Sequence, residues 1–125
     1  MDTRATGRKI MNELMGEGYV ESKDRRKNAF NGAIFEYSEE VCFGRIWSRP
    51  VLDRKQRSML NLAMLTALNR PTQLSHHVDA AITNGCTMEE IREALLQAAV
   101  YCGLPSAGEA FRVAEEVLKA KGLLE

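Results

Sequence analysis

Between Met59 and Leu68 the chain carries eight apolar residues, broken only by Asn61 and Thr66. Wound as an α-helix, this stretch is apolar on most of its sides, and such a helix must be surrounded by protein. It is therefore expected as the central helix of a bundle, or as one covered by another subunit. Asp53 precedes it as a natural cap. That one segment favours a helical architecture, and the rest of the chain reads the same way.

Asp2 or Thr3 can cap a first helix whose apolar positions Ile10, Leu14 and Met15 end at Gly16. The polar stretch from Glu17 to Asn28 is expected as a loop with at most one helical turn. Phe30, Ile34, Tyr37 and Val41 recur at helical spacing, which predicts one face of a helix starting near Arg25 and loosened at Gly44. Trp47 and Pro50 mark a turn, because the residue before proline avoids helical geometry. Thr72, after Pro71, is expected to cap a helix ending at Gly85, with Leu74, Val78, Ala81 and Ile82 as its apolar stripe and His77 inside that stripe. Thr87 and Glu90 have the spacing of a capping box, opening a helix with Ile91, Leu95, Ala98 and Cys102 on one side. Ser106 and Glu109 repeat that spacing before a last helix bearing Ala110, Phe111, Ala114, Val117 and Leu118. No strand pattern competes. The expected fold is a single all-α domain over residues 1–125, a bundle of about six helices in which short turns make the pairs over 53–84 and 87–122 antiparallel neighbours.

At 125 residues the chain is one domain's worth, too short for a separate cofactor domain. Seventeen Lys and Arg balance seventeen Asp and Glu, which argues against a broad electrostatic grip on nucleic acid or an anionic membrane. The apolar runs are too short for a membrane span, and the opening MDTRATGRK lacks the apolar stretch of a secretory signal. Cys42, Cys86 and Cys102 are an odd number without a CxxC pair, which suits a reducing cytoplasm better than a disulfide framework or a zinc knuckle. Charge is uneven locally. Arg45, Arg49, Arg54, Lys55 and Arg57 face only Asp53 in their segment, a cluster that reads either as a solvated face or as a place to hold a small anion.

The two histidines are adjacent, so on a helix they point about 100° apart and cannot serve one site as equivalents. His76 falls on the polar side with Thr72, Asp79 and Thr83; His77 falls on the apolar face. A histidine there is either a satisfied core residue or a proton carrier, since an imidazole titrates near neutrality. Arg49 and Arg57 flank the turn into the central helix. Each guanidinium can grip a carboxylate through two parallel hydrogen bonds, or it can pair with Glu39, Glu40 or Glu109. Cys102 is expected as a small core residue, and no thiol shows a resolving partner. The His-His dipeptide lacks the i, i+4 spacing of paired metal ligands, so no metal is expected.

The strings GRIWSRPVL from Gly44, DRKQRS, LNR, QLSHHVDAAITNG and TMEEIREALLQAAVYCGLPSAGEAF closely resemble the gamma-carboxymuconolactone decarboxylase family, part of the alkylhydroperoxidase-like superfamily. The likeness runs over nearly the whole chain and is strongest from Gly44 to Leu118. It implies an all-α fold assembled into trimers or hexamers, and a cofactor-free decarboxylase acting on a small carboxylated lactone in aromatic-compound catabolism. His77, Ala81 and Gly85 match the family's pattern of His, three residues, Ala, three residues, Gly, which implies proton transfer by His77. Trp47, Arg49 and Pro50 match the family's IW-x-RP turn, and Arg57 the arginine of its RS element. Trp47, Arg49 and Arg57 are thereby implied as substrate-binding residues, with Gln73 beside them where close members carry a glutamate. Other departures are Asp79 for a basic residue, Arg45 for an acid, and Val41 and Phe43 for a histidine and a tryptophan. They leave room for a paralogue performing isomerisation or another enolate step on a different lactone or keto acid. Peroxidase members carry CxxC where this chain has Arg70 and Gln73, which argues against thiol chemistry. A non-catalytic oligomeric binding module is the remaining reading.

Overall fold

The computed structural model describes residues 2–125, which divide into two compact units at Leu52 and Asp53. In the first, α1 (Thr3–Met15) starts where the Asp2 carboxylate accepts the backbone N–H groups of Arg4 and Ala5, and ends at Gly16 with φ 85°. The polar segment expected as a loop is instead a full helix, α2 (Glu17–Arg26). It buries only Val20 and Lys23, so it lacks the apolar stripe by which a helix is read from sequence. An Asn28–Asn31 turn leads to α3 (Gly32–Tyr37), which continues as a π-helical segment, Ser38–Ile46. The helix expected from Arg25 thus begins at Gly32, and Phe30, Ile34 and Tyr37 are exposed rather than buried.

α1 and the π-helical segment meet backbone to backbone. A Cβ added at Gly7 would overlap the Glu39 carbonyl, and one added at Gly44 would overlap the Thr3 carbonyl. The expected loosening at Gly44 is therefore a point of closest packing. Around it lie Ile10, Met11, Leu14, Val20, Phe43 and Trp47 as a small core. Glu39, 1% exposed, is ringed by Arg4 at 3.2 Å, Arg8 at 3.1 Å and Lys23 at 3.8 Å. Three cations thus stand where this side chain's water would otherwise be.

The second unit contains α4 (Arg54–Ala67), α5 (Pro71–Thr83), α6 (Met88–Cys102) and α7 (Leu104–Ala120). Asp53 caps α4 as expected and forms a reciprocal box with Gln56. α4 passes to α5 through Asn69, whose φ of 57° suits asparagine at a helix end. Pro71 occupies the first turn of α5 and Arg70 the cap position, so Thr72 lies inside the helix rather than capping it. The Thr87–Glu90 box forms as expected. The Ser106–Glu109 box does not: α7 already starts at Leu104 after Gly103, and Glu109 turns to Arg112 at 2.6 Å.

Leu62, Leu74, Val78, Ala81, Ile91 and Leu95 are at the centre of this unit, packed on Ala110, Ala114 and Leu118. Cys102, expected in the core, is exposed at the end of α6. α4 is central in part only. Leu62 is wholly buried, whereas Leu60, Met64 and Leu68, at i, i+4 and i+8, form an outer apolar stripe half exposed or more. Among the described residues, no helix is long and apolar enough to cross a membrane.

Candidate active site

α4 and α5 run antiparallel, as two side-chain pairs show. Ser58 Oγ accepts from Asn84 Nδ2 at 2.9 Å, and Asn61 Nδ2 lies 3.5 Å from His77 Nδ1. As residue numbers rise along α4, their partners fall along α5. Arg57 stands one turn before Asn61 on α4, and Gln73 one turn before His77 on α5, so each shares a helix face with a member of the pair. Arg57 and His77 are half-buried and Gln73 is exposed.

Burial is the main influence on His77. Loss of water, with a smaller contribution from the neighbouring His76, pulls its pKa from the ordinary 6.5 down to about 4. The ring is therefore neutral at pH 7, with one nitrogen a donor and the other an acceptor. His76 points elsewhere, into an open cleft with Thr72, Ser75 and Arg112. Asp79 sits about 200° round the helix from His77 and pairs with Lys121 at 2.8 Å. The acid at position 79 therefore lies off the histidine face, and a surface lysine balances it.

Trp47 and Arg49 belong to the first unit. Trp47 is buried and stacked on Phe43, with ring centroids 6.1 Å apart and planes inclined by 19°. Arg49 is exposed on the turn after the π-helical segment, its backbone N–H donating to the Ile46 carbonyl at 3.0 Å. Two acids weighed as structural partners for the arginines are engaged by other cations: Glu39 by Arg4, Arg8 and Lys23, and Glu109 by Arg112.

Asn61, beside His77, is the candidate that sequence reasoning passed over. The signal available was its position as one of two polar residues interrupting an apolar run. Thr66, the other, returns its hydroxyl to the Leu62 carbonyl at 2.7 Å within its own helix. Asn61 reaches across to the next helix instead. Cys42 and Cys86 offer no competing thiolate chemistry, since burial raises the pKa of both, the opposite of what a reactive thiolate needs.

The family model for the carboxymuconolactone decarboxylase family matches residues 32–116. A 4-carboxymuconolactone decarboxylase of Acinetobacter baylyi is 36% identical over 117 residues, covering 94% of this chain and 87% of that protein. A nitrosuccinic acid decarboxylase of Metarhizium robertsii is 42% identical over 112 residues, covering 90% of this chain and 78% of the relative. With the family match spanning both α4 and α5, and relatives aligned over most of their length, the chain belongs to the carboxymuconolactone decarboxylase family.

Proposed function

We propose that the protein is a cofactor-free carboxy-lyase acting on a small carboxylated acid such as gamma-carboxymuconolactone, with His77 as its general acid/base. The observation that carries this reading is the half-buried His77, neutral at pH 7 and held beside Asn61, in a chain whose relatives are named decarboxylases. In such a reaction the bond to the departing carboxylate breaks and carbon dioxide leaves. The electron pair moves into the unsaturated lactone and returns to carbon with a proton. A bound carboxylate supplies an opposite charge that raises the pKa of a nearby imidazole. Substrate arrival thus charges His77 from solvent, and the ring hands that proton to carbon.

Arg57, and by the family resemblance Arg49, hold the remaining carboxylate groups, with Trp47 and Gln73 as further binding residues. The nitrosuccinic acid relative suggests a second substrate with the same demand, an α-nitro diacid whose nitro group would receive the electron pair. Both acids are the probes. Purified protein is expected to consume at least one of them, followed by ultraviolet absorbance for the lactone and by carbon dioxide release for the nitro acid. His77→Ala is expected to abolish turnover while keeping its helical circular dichroism. No turnover of either acid, or full activity in His77→Ala, would overturn the proposal.

We further propose a homo-oligomer, a trimer or hexamer, that covers the Leu60, Met64 and Leu68 stripe, and a cytoplasmic setting suited to the free thiols of Cys42, Cys86 and Cys102. Light scattering should give a mass three or six times that of the chain, and Met64→Glu should reduce it.

A further inference from the structure

We infer that Asn61 is a positioning residue that fixes the tautomer of His77, keeping the proton on Nε2 while the site awaits its substrate. The inference deepens the reading of His77 as the proton carrier and rests on it. Three observations support it. Asn61 sits on α4 and His77 on α5, so their contact across 3.5 Å is tertiary and fixed by the antiparallel register of two helices. The Asp53–Gln56 box fixes where α4 starts, five residues before Ser58, and the 2.9 Å Ser58–Asn84 hydrogen bond pins the register between the helices. Both members of the pair are half-buried, where a misplaced polar group is costly. Finally, the Asn61 atom placed against Nδ1 is Nδ2, a donor.

A donor opposite Nδ1 requires a lone pair there, which leaves the ring proton on Nε2. The other tautomer would set N–H against N–H. The consequence for substrate is direct. A carboxylate approaching Nε2 meets an N–H donor although the ring carries no charge, whereas a bare Nε2 would turn its lone pair toward the anion. An amide also suits this place better than an acid. An aspartate would hold the ring as imidazolium at rest, while a carboxamide orients it without adding charge.

The decisive measurement is the nitrogen-15 spectrum of histidine-labelled protein near pH 7.5, with His76→Gln used to assign the two rings. His77 is expected to show a protonated Nε2 and an unprotonated Nδ1. Asn61→Leu, of similar volume, is expected to give tautomer-averaged nitrogens and to lower kcat about tenfold, the factor worth one ordinary hydrogen bond. Asn61→Asp is expected to raise the pKa of His77 and to place a proton on Nδ1. A proton resting on Nδ1 in the unmutated protein would overturn the inference, and that measurement needs no variant to fold. An unchanged tautomer in Asn61→Leu would overturn it as well. Full activity in His77→Ala would instead remove the catalytic reading, a failure that the spectrum distinguishes from the first.

Discussion

Acid should cost this protein stability through one ring. His77 has a pKa of about 4 in the fold against an ordinary 6.5, and burial is the chief cause. Above pH 6.5 the ring is neutral both folded and unfolded, so it contributes nothing to the pH dependence. As pH falls below 6.5 the unfolded chain takes up a proton at this position that the folded chain refuses, so stability declines with falling pH. Each pH unit in that window costs about 1.4 kcal/mol, and the loss is complete once the folded ring also titrates near pH 4. Over the whole interval it comes to about 3 kcal/mol, a large share of the usual 5–15 kcal/mol of a domain. Carboxylates titrate in the same range, so the assay compares the unmutated protein with His77→Gln, in which they are unchanged. Urea unfolding followed by circular dichroism, at one fixed protein concentration, should show the unmutated protein losing about 3 kcal/mol more than the variant between pH 7 and pH 4. Parallel losses within about 0.5 kcal/mol, the usual error of additivity, would refute the reasoning, as would a larger loss in the variant.

Other substitutions read different parts of the molecule. Glu39→Gln leaves buried Lys23 beside Arg4 and Arg8 without its counter-charge and should destabilise by about 3–5 kcal/mol in urea titration. Gly44→Ala drives a methyl into the Thr3 carbonyl and should cost about 1–3 kcal/mol or more. Gly18→Ala, in a helical position with open space around it, should instead gain up to about 1 kcal/mol. Arg49→Ala and Arg57→Ala should raise KM by roughly 10- to 100-fold, the range expected for losing a charged hydrogen bond, with smaller effects on kcat.

The helices of the second unit were the most legible because their signals are local. The caps at Asp53 and Thr87 and the stripe through Leu74, Val78 and Ala81 lie within one or two turns of the residues they organise. α2 was hidden because its packing rests on Val20, buried Lys23 and an Arg8–Asp24 ion pair at 2.8 Å, none of which makes an apolar period. The Ser106–Glu109 spacing misled because Gly103, with φ 97°, and Pro105 start α7 earlier. His77 stood out by residue type and position in the family pattern. Asn61 did not, because its partner lies sixteen residues away and is reached only once α5 has folded back along α4.

The close approach of Gly7 to the Glu39 carbonyl, and of Gly44 to the Thr3 carbonyl, also works as a ruler. Slide α1 by a single residue along the π-helical segment and either Thr6 or Arg8 brings a side chain to where only hydrogen fits. Arg4 and Arg8, one turn apart, then no longer bracket the same carboxylate. Steric exclusion and charge pairing thus vote for one alignment, and a chain that misaligns these helices while folding is corrected by both at once.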